Sequence, residues 1–300
     1  MKMMKKVLVT GANGQLGRCI EAEIKKVDLP LEFDFMSSSL LDITNEHSVL
    51  EHFKNQHYDY CINCAAYTQV DSAEIDQEKA FLINENGPRN LARACKQSNT
   101  ILLHISTDFV FDGKTGTPYS EKTHPNPIGI YGLSKFRGEQ EIVRNLDTYF
   151  IIRTSWLYSV FGNNFMKSMI KHGTTKNTLS VVYDQVGTPT FANDLVKVLL
   201  HIILNEIKAF GIYNYSNEGV ASWFDFAKAI FEINDIDVDL RPIRTKEYPL
   251  PAARPAFSVL DKEKIKKTLQ IVIPHWRDSL LLGSNELENV EAEIIKKQVI

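Results

Sequence analysis

Over its first 215 residues the chain alternates short apolar runs with longer amphipathic stretches. The runs near 6–10, 32–36, 58–65, 100–106, 149–155 and 211–215 have the length and composition of strands buried on both faces. Between them, helical spacing appears near 15–26, 45–55, 76–97, 130–145 and 191–205. Strand–helix alternation of this kind predicts an α/β fold with a doubly wound parallel sheet and right-handed crossovers. Thr44-Asn45-Glu46-His47 resembles a helix start, and Gly87-Pro88 predicts a kink or break within 76–97. Beyond 215 the rhythm changes: Trp223 to Ile233 is helical, Ile236 to Leu240 strand-like, and 248–255 a proline-rich loop. The expected division is a sheet domain over 1–155, with 190–215 returning to it, and a smaller α+β lobe from 156–189 and 216–300. Glu286 to Lys297, with the stripe Leu287, Val290 and Ile294, predicts a surface or partner-facing helix.

Composition narrows the function classes. With 44% hydrophobic and 24% charged residues, the chain has ordinary globular composition and ample core. A net charge of -3 gives no global attraction to nucleic acid, so no nucleic-acid partner is expected. No apolar run reaches membrane-spanning length, and the N-terminal segment leads straight into a strand, so a cytoplasmic location without membrane association is expected. Cys61-Ile62-Asn63-Cys64 has redox spacing but lies in a strand, where i and i+3 face opposite sides; inert buried thiols are expected. No spacing predicts a metal site.

Candidate chemistry sits where apolar strands end, the edge at which such sheets bind ligands. After Lys6–Thr10 comes Gly11-Ala12-Asn13-Gly14-Gln15-Leu16-Gly17. Gly11 would allow the tight turn, Gly14 the approach of a pyrophosphate to bare backbone, and Gly17 close packing of the next helix. Ser106-Thr107-Asp108 ends another strand. Tyr131 and Lys135 follow at i, i+4 on one helix face. A phenol titrates near pH ~10, and a neighbouring cation favours its ionised form. Such an acid can protonate a carbonyl oxygen while hydride reaches the carbon. These residues indicate a nicotinamide-dependent reductase.

The chain resembles the extended short-chain dehydrogenase/reductases over nearly its whole length. The resemblance rests on the glycine turn, Asn63-Cys64-Ala65-Ala66-Tyr67-Thr68-Gln69-Val70-Asp71, Ser106 to Gly113, and Tyr131-Gly132-Leu133-Ser134-Lys135. Arg153-Thr154-Ser155-Trp156, Gly162-Asn163-Asn164-Phe165, Asp184 to Thr190 and Arg254-Pro255 resemble one nucleotide-sugar-reducing branch more narrowly. It implies a Rossmann-type domain and hydride transfer from NADPH or NADH to C4 of dTDP-4-dehydro-β-L-rhamnose, supplying a rhamnose donor for polysaccharide. Tyr131 would then protonate the C4 oxygen, and Lys135 would lower its pKa and bond the nicotinamide ribose. Thr107 would orient the ketone, with Asp108 and Trp156 on the substrate and Arg254 on its diphosphate. Gln15 and Leu16 would lie at the pyrophosphate, Asp42 and Ile43 near adenine, and Ala65, Ala66 and Tyr67 along ribose and pyrophosphate. Some relatives dimerise, in cases through Mg²⁺; a homodimer is compatible with this chain, and no residue spacing specifies the metal.

Two details refine this. The second strand ends Phe33-Asp34-Phe35-Met36-Ser37-Ser38-Ser39, with Asp34 too early to hold an adenosine 2′-hydroxyl and serines that do not repel a 2′-phosphate. Use of both cofactors, leaning to NADPH, is expected. Phe109 stands where related dehydratases carry a glutamate base, which disfavours water elimination. An epimerase, another nucleotide-sugar reductase, and a non-catalytic subunit resembling the methionine adenosyltransferase regulator are the alternatives.

Overall fold

The computed structural model describes residues 4–298, without the side chains of 291–298. Five parallel strands, β1 (Lys5–Thr10), β2 (Leu31–Met36), β3 (Tyr60–Asn63), β4 (Ile101–Thr107) and β5 (Tyr149–Thr154), form the sheet with the edge strand Gly211–Asn214. Their spatial order, β2-β1-β3-β4-β5 and then Gly211–Asn214, reverses between β1 and β3. That reversal opens a crevice at the carboxyl ends of those two strands. Each face of the sheet has its own apolar cluster. Val9, Ile62 and Ile152 belong to one, Leu8, Cys61 and Ile151 to the other. Cys61 and Cys64 pack on opposite faces, as strand alternation requires, and burial pushes both thiols up.

The helix expected over 76–97 does not break at Gly87-Pro88. It widens into a π turn over Leu82–Asn86 and resumes as Gly87–Ser98. Proline lacks an N–H and crowds the carbonyl four residues back, that of Asn84. The widened turn accommodates this and leaves the Asn84 oxygen against the Ile130–Asn145 helix, where a Cβ at Gly138 would lie only 2.0 Å from it.

Past β5 a smaller cluster gathers Tyr158, Met166, Phe226, Ile230, Trp276 and Leu280. The strand expected over 236–240 lies at Asp239–Ile243, parallel to Thr178–Val182. Ile236 and Val238 instead pack onto this cluster, and Pro242 is tolerated because the pair is two-stranded. The final helix, Trp276–Gln298, lays Leu287 and Val290 on the same cluster, so that part of the expected surface stripe faces the chain's own core. The side chain of Ile294 lies outside the described residues. Among the described residues, no helix is long and apolar enough to cross a membrane.

Candidate active site

The glycine turn is shaped by close approach. Gly11 has φ +67°, and a Cβ there would sit 2.5 Å from Ala65 N, so β1 and β3 release the chain side by side only if this residue is glycine. A Cβ at Gly17 would lie 2.7 Å from Ala12 Cα, which brings the helix Gln15–Ile24 down onto the turn. Gly14 caps that helix without a side chain, leaving its first N–H groups bare. Such a backbone cradle fits a dinucleotide pyrophosphate. Leu16 is buried, whereas Gln15 turns aside: its amide donates to Leu157 O at 3.1 Å and accepts from Asn164 Nδ2 at 2.8 Å. Asn164 also caps the helix Phe165–Gly173, so the Gly-Asn-Asn-Phe string ties the smaller lobe to the glycine turn.

Asp42 is exposed and accepts from the Thr44 N–H and hydroxyl. Ile43 is buried against Gly87, and its carbonyl accepts from Asn90 Nδ2 at 2.9 Å. Ala65, Ala66 and Tyr67 are half-buried after β3. Asn84, which the sequence analysis did not single out, clamps this segment. Its side chain accepts from Tyr67 N at 2.8 Å and donates to Tyr67 O and Ser134 Oγ, both at 3.0 Å. Asp34 points elsewhere, accepting from Tyr58 OH at 2.8 Å and pairing with Lys6 at 3.0 Å. Serines stand where an acidic ribose ligand would be expected: Ser37 and Ser39 share a 2.8 Å hydrogen bond.

The helix Ile130–Asn145 brings Tyr131 to the end of β4 by near-contact, since a Cβ at Gly132 would lie 2.1 Å from Phe109 O. Phe109 meets the Tyr131 ring edge-on at 5.5 Å. Burial pushes the phenol up to about 12, against the pull of a hydrogen bond with Thr107. Lys135 is 2% exposed, and its amine donates to Ile105 O at 2.6 Å. Burial pushes it down to about 8. The expected lowering of the Tyr131 pKa by Lys135 is therefore not what this geometry gives. Desolvation dominates at both groups, and it favours the neutral phenol and the neutral amine together.

Thr107 donates to Asp108 Oδ1 at 3.1 Å and accepts from Phe109 N at 3.2 Å. Asp108 is 2% exposed, and burial raises its carboxyl to about 6. Its Oδ2 is buried without a hydrogen-bond partner. Beneath the tyrosine helix, Glu139 holds Arg153 through Oε1 and Oε2 at 2.9 and 2.6 Å and accepts from Ser106 Oγ at 2.5 Å.

A cavity of about 490 Å³ opens in the smaller lobe, with Phe165, Met169, Gln185, Trp223, Tyr248 and Arg254 in its wall and none of Thr107, Asp108, Tyr131 or Lys135. Ala253, also in the wall, approaches Gly129 at the start of the tyrosine helix. Trp156, expected on the substrate, is half-buried and is not among the residues lining this cavity. Held at φ +46°, it stacks on Trp223 at 3.6 Å and 7°, with Gly187 pressed against its ring. Trp223 is thus the indole that faces the cavity, a position the sequence signalled only by the amphipathic spacing of its helix. Arg254 forms a two-pronged pair with Asp71 at 3.1 and 2.7 Å, joining the segment after β3 to the proline-rich loop.

The pattern that defines the RmlD substrate binding domain matches residues 4–288. The chain belongs to that family. Within the RmlD family, the dTDP-4-dehydrorhamnose reductase of Aggregatibacter actinomycetemcomitans is 37% identical over 288 residues, 92% of this chain and 97% of that protein. The spore coat polysaccharide biosynthesis protein SpsK of Bacillus subtilis is 38% identical over 277 residues, 92% of this chain and 96% of that one. Among solved structures, the dTDP-4-dehydrorhamnose reductase of Bacillus anthracis, in complex with NADP, superposes with a TM-score of 0.91 at 39% identity, covering 95% of this chain and 100% of that one.

Proposed function

We propose that this protein reduces the C4 ketone of dTDP-4-dehydro-β-L-rhamnose to dTDP-β-L-rhamnose, the last step of dTDP-rhamnose biosynthesis, with NADPH or NADH. The observation that carries the reading is the convergence of Thr107, Tyr131 and Lys135 at the end of β4, one strand from the crevice marked by Gly11 and Gly14. Bound at the glycine turn, the nicotinamide dinucleotide supplies the hydride. Gly11, Gly14, Gln15, Leu16 and Gly17 would hold its pyrophosphate side, Asp42 and Ile43 would border adenine, and Ala65, Ala66 and Tyr67 would follow the ribose and pyrophosphate. Serines after β2 leave room for a 2′-phosphate, in keeping with NADPH.

Tyr131 delivers its proton to the C4 oxygen as charge develops there. A phenol at about 12 holds that proton until the alkoxide, a stronger base, demands it. Thr107 aims the ketone at the phenol, with Asp108 beside it on the substrate side. Trp223, backed by Trp156, covers an apolar face of the nucleotide sugar, and Arg254 binds its diphosphate. Residues 1–155 with 190–215 serve the cofactor, while 156–189 and 216–300 serve the sugar nucleotide. A small-molecule substrate and a nicotinamide pool suit the cytoplasm. Phe109, packed against Tyr131, occupies the position where related dehydratases carry a glutamate base.

The test mixes the protein with NADPH and dTDP-4-dehydrorhamnose and follows nicotinamide absorbance. Turnover should fall at least about 10²-fold in Tyr131→Phe, with cofactor binding retained. Equal rates in the two proteins would reject Tyr131 as the acid. Sugar isomer exchange without net cofactor loss would indicate an epimerase, and no turnover of any 4-keto nucleotide sugar a regulatory subunit.

A further inference from the structure

The helix that carries Tyr131 begins without a cap of its own. Its N-cap is Gly129, which has no side chain to bond the free N–H groups of the first turn. The backbone there, at φ −142° and ψ 165°, is extended and open to any residue, so conformation does not call for glycine. Space does. A Cβ at Gly129 would lie 2.9 Å from Glu74 Oε1, and that oxygen accepts from Ile130 N at 2.8 Å. A carboxylate 56 positions from Ile130 thus takes the room that a capping side chain would need, at the positive end of the helix.

We infer that Glu74 is a positioning residue for Tyr131: it caps the tyrosine helix from outside and fixes the angle at which the phenol enters the site. Tyr131 is the second residue of that helix, so it follows any movement of the first turn. Further along, the helix is already held, by Asn84 on Ser134 and by the Asn84 carbonyl against Gly138. At the first turn, Phe109 O against Gly132 is a steric stop, and Glu74 on Ile130 is the directed bond. The carboxylate is placed in turn by the short helix Val70–Ala73, which ends at Glu74. Three residues back, Asp71 accepts from Ala252 N at 3.1 Å and pairs with Arg254 at 2.7 Å. One helical turn therefore carries two carboxylates with separate partners: Asp71 ties down the proline-rich loop, and Glu74 the helix of the acid. The consequence, which rests on the reductase reading, is that loss of the Glu74 bond slows proton delivery without weakening the hold on either ligand.

Two measurements on the full chain test this separately. In amide hydrogen exchange followed by mass spectrometry, the peptide from Ile128 to Phe136 should exchange about tenfold faster in Glu74→Ala. Glu74→Gln should match the parent, because its amide oxygen can accept the same N–H. Unchanged exchange in Glu74→Ala would overturn the cap whether or not the chain is a reductase. In steady-state kinetics with NADPH and dTDP-4-dehydrorhamnose, Glu74→Ala should lower kcat about tenfold while both KM values stay within about twofold. Glu74→Gln should recover most of that kcat. An unchanged kcat in Glu74→Ala would sink the positioning role and leave Tyr131 as the acid. So would a Glu74→Gln variant as slow as Glu74→Ala, since charge and not the bond to Ile130 would then be what matters.

Discussion

Around Lys135, buried polar groups are tied to one another: Thr10 to Asn63, Asn63 to His104, Asn84 to Tyr67 and Ser134, and Glu139 to Arg153 and Ser106. Around the cavity the wall is apolar and aromatic, and its main polar tie is the part-exposed Asp71–Arg254 pair. The first region is preorganised by the sheet itself, because most of these partners come from its strands or from helices pressed onto it. The second is assembled from a stacked indole pair and a proline-rich loop. The contrast separates the two jobs of such a site. Proton transfer needs fixed geometry at low dielectric, whereas sugar-nucleotide recognition needs area and a few directed charges.

The largest effect should come from breaking the buried frame. Glu139→Leu leaves the Arg153 guanidinium buried without its counter-ion and should cost about 3–5 kcal/mol in urea unfolding. Adding Arg153→Met should recover most of that loss. If the single variant is as stable as the parent, the frame is not held by this pair.

Next comes the boundary between the regions. Asp108 has a folded-state pKa raised to about 6, above its unfolded value, so its contribution is full below pH ~4 and is lost as pH rises through 6. Asp108→Asn should remove that decline, gaining up to about 3 kcal/mol relative to the parent above pH 6. Parallel stability curves from pH 4 to 7 would show that the carboxyl is not desolvated as described.

The smallest effect is expected at the cavity. Arg254→Ala should raise KM for the nucleotide sugar about tenfold, with kcat nearly unchanged, since a charged hydrogen bond contributes about 1.5–3 kcal/mol and the Asp71 pair must first open. An equal fall in kcat would move Arg254 from binding into the chemical step.

Much of this architecture was legible in the chain. Alternating apolar runs marked all six strands of the sheet, and the spacing of Gly11, Gly14 and Gly17 marked the crevice, because short-range sterics act through neighbouring residues. Asn84, His104 and Trp223 were not legible in the same way. An asparagine in a helix, a histidine in an apolar strand and a tryptophan at a helix start are each ordinary, and they gain meaning only from partners 17, 31 and 67 positions away.

By itself, then, the sequence determined the sheet and the turn and put Thr107, Tyr131 and Lys135 forward as candidates, since periodicity and local spacing are properties of contiguous chain. Tertiary structure alone decided that Trp223 rather than Trp156 faces the cavity, that Asp71 occupies the Arg254 fork, and that burial sets the proton affinities of Tyr131 and Lys135. Desolvation depends on everything packed around a group, and no spacing along the chain encodes it.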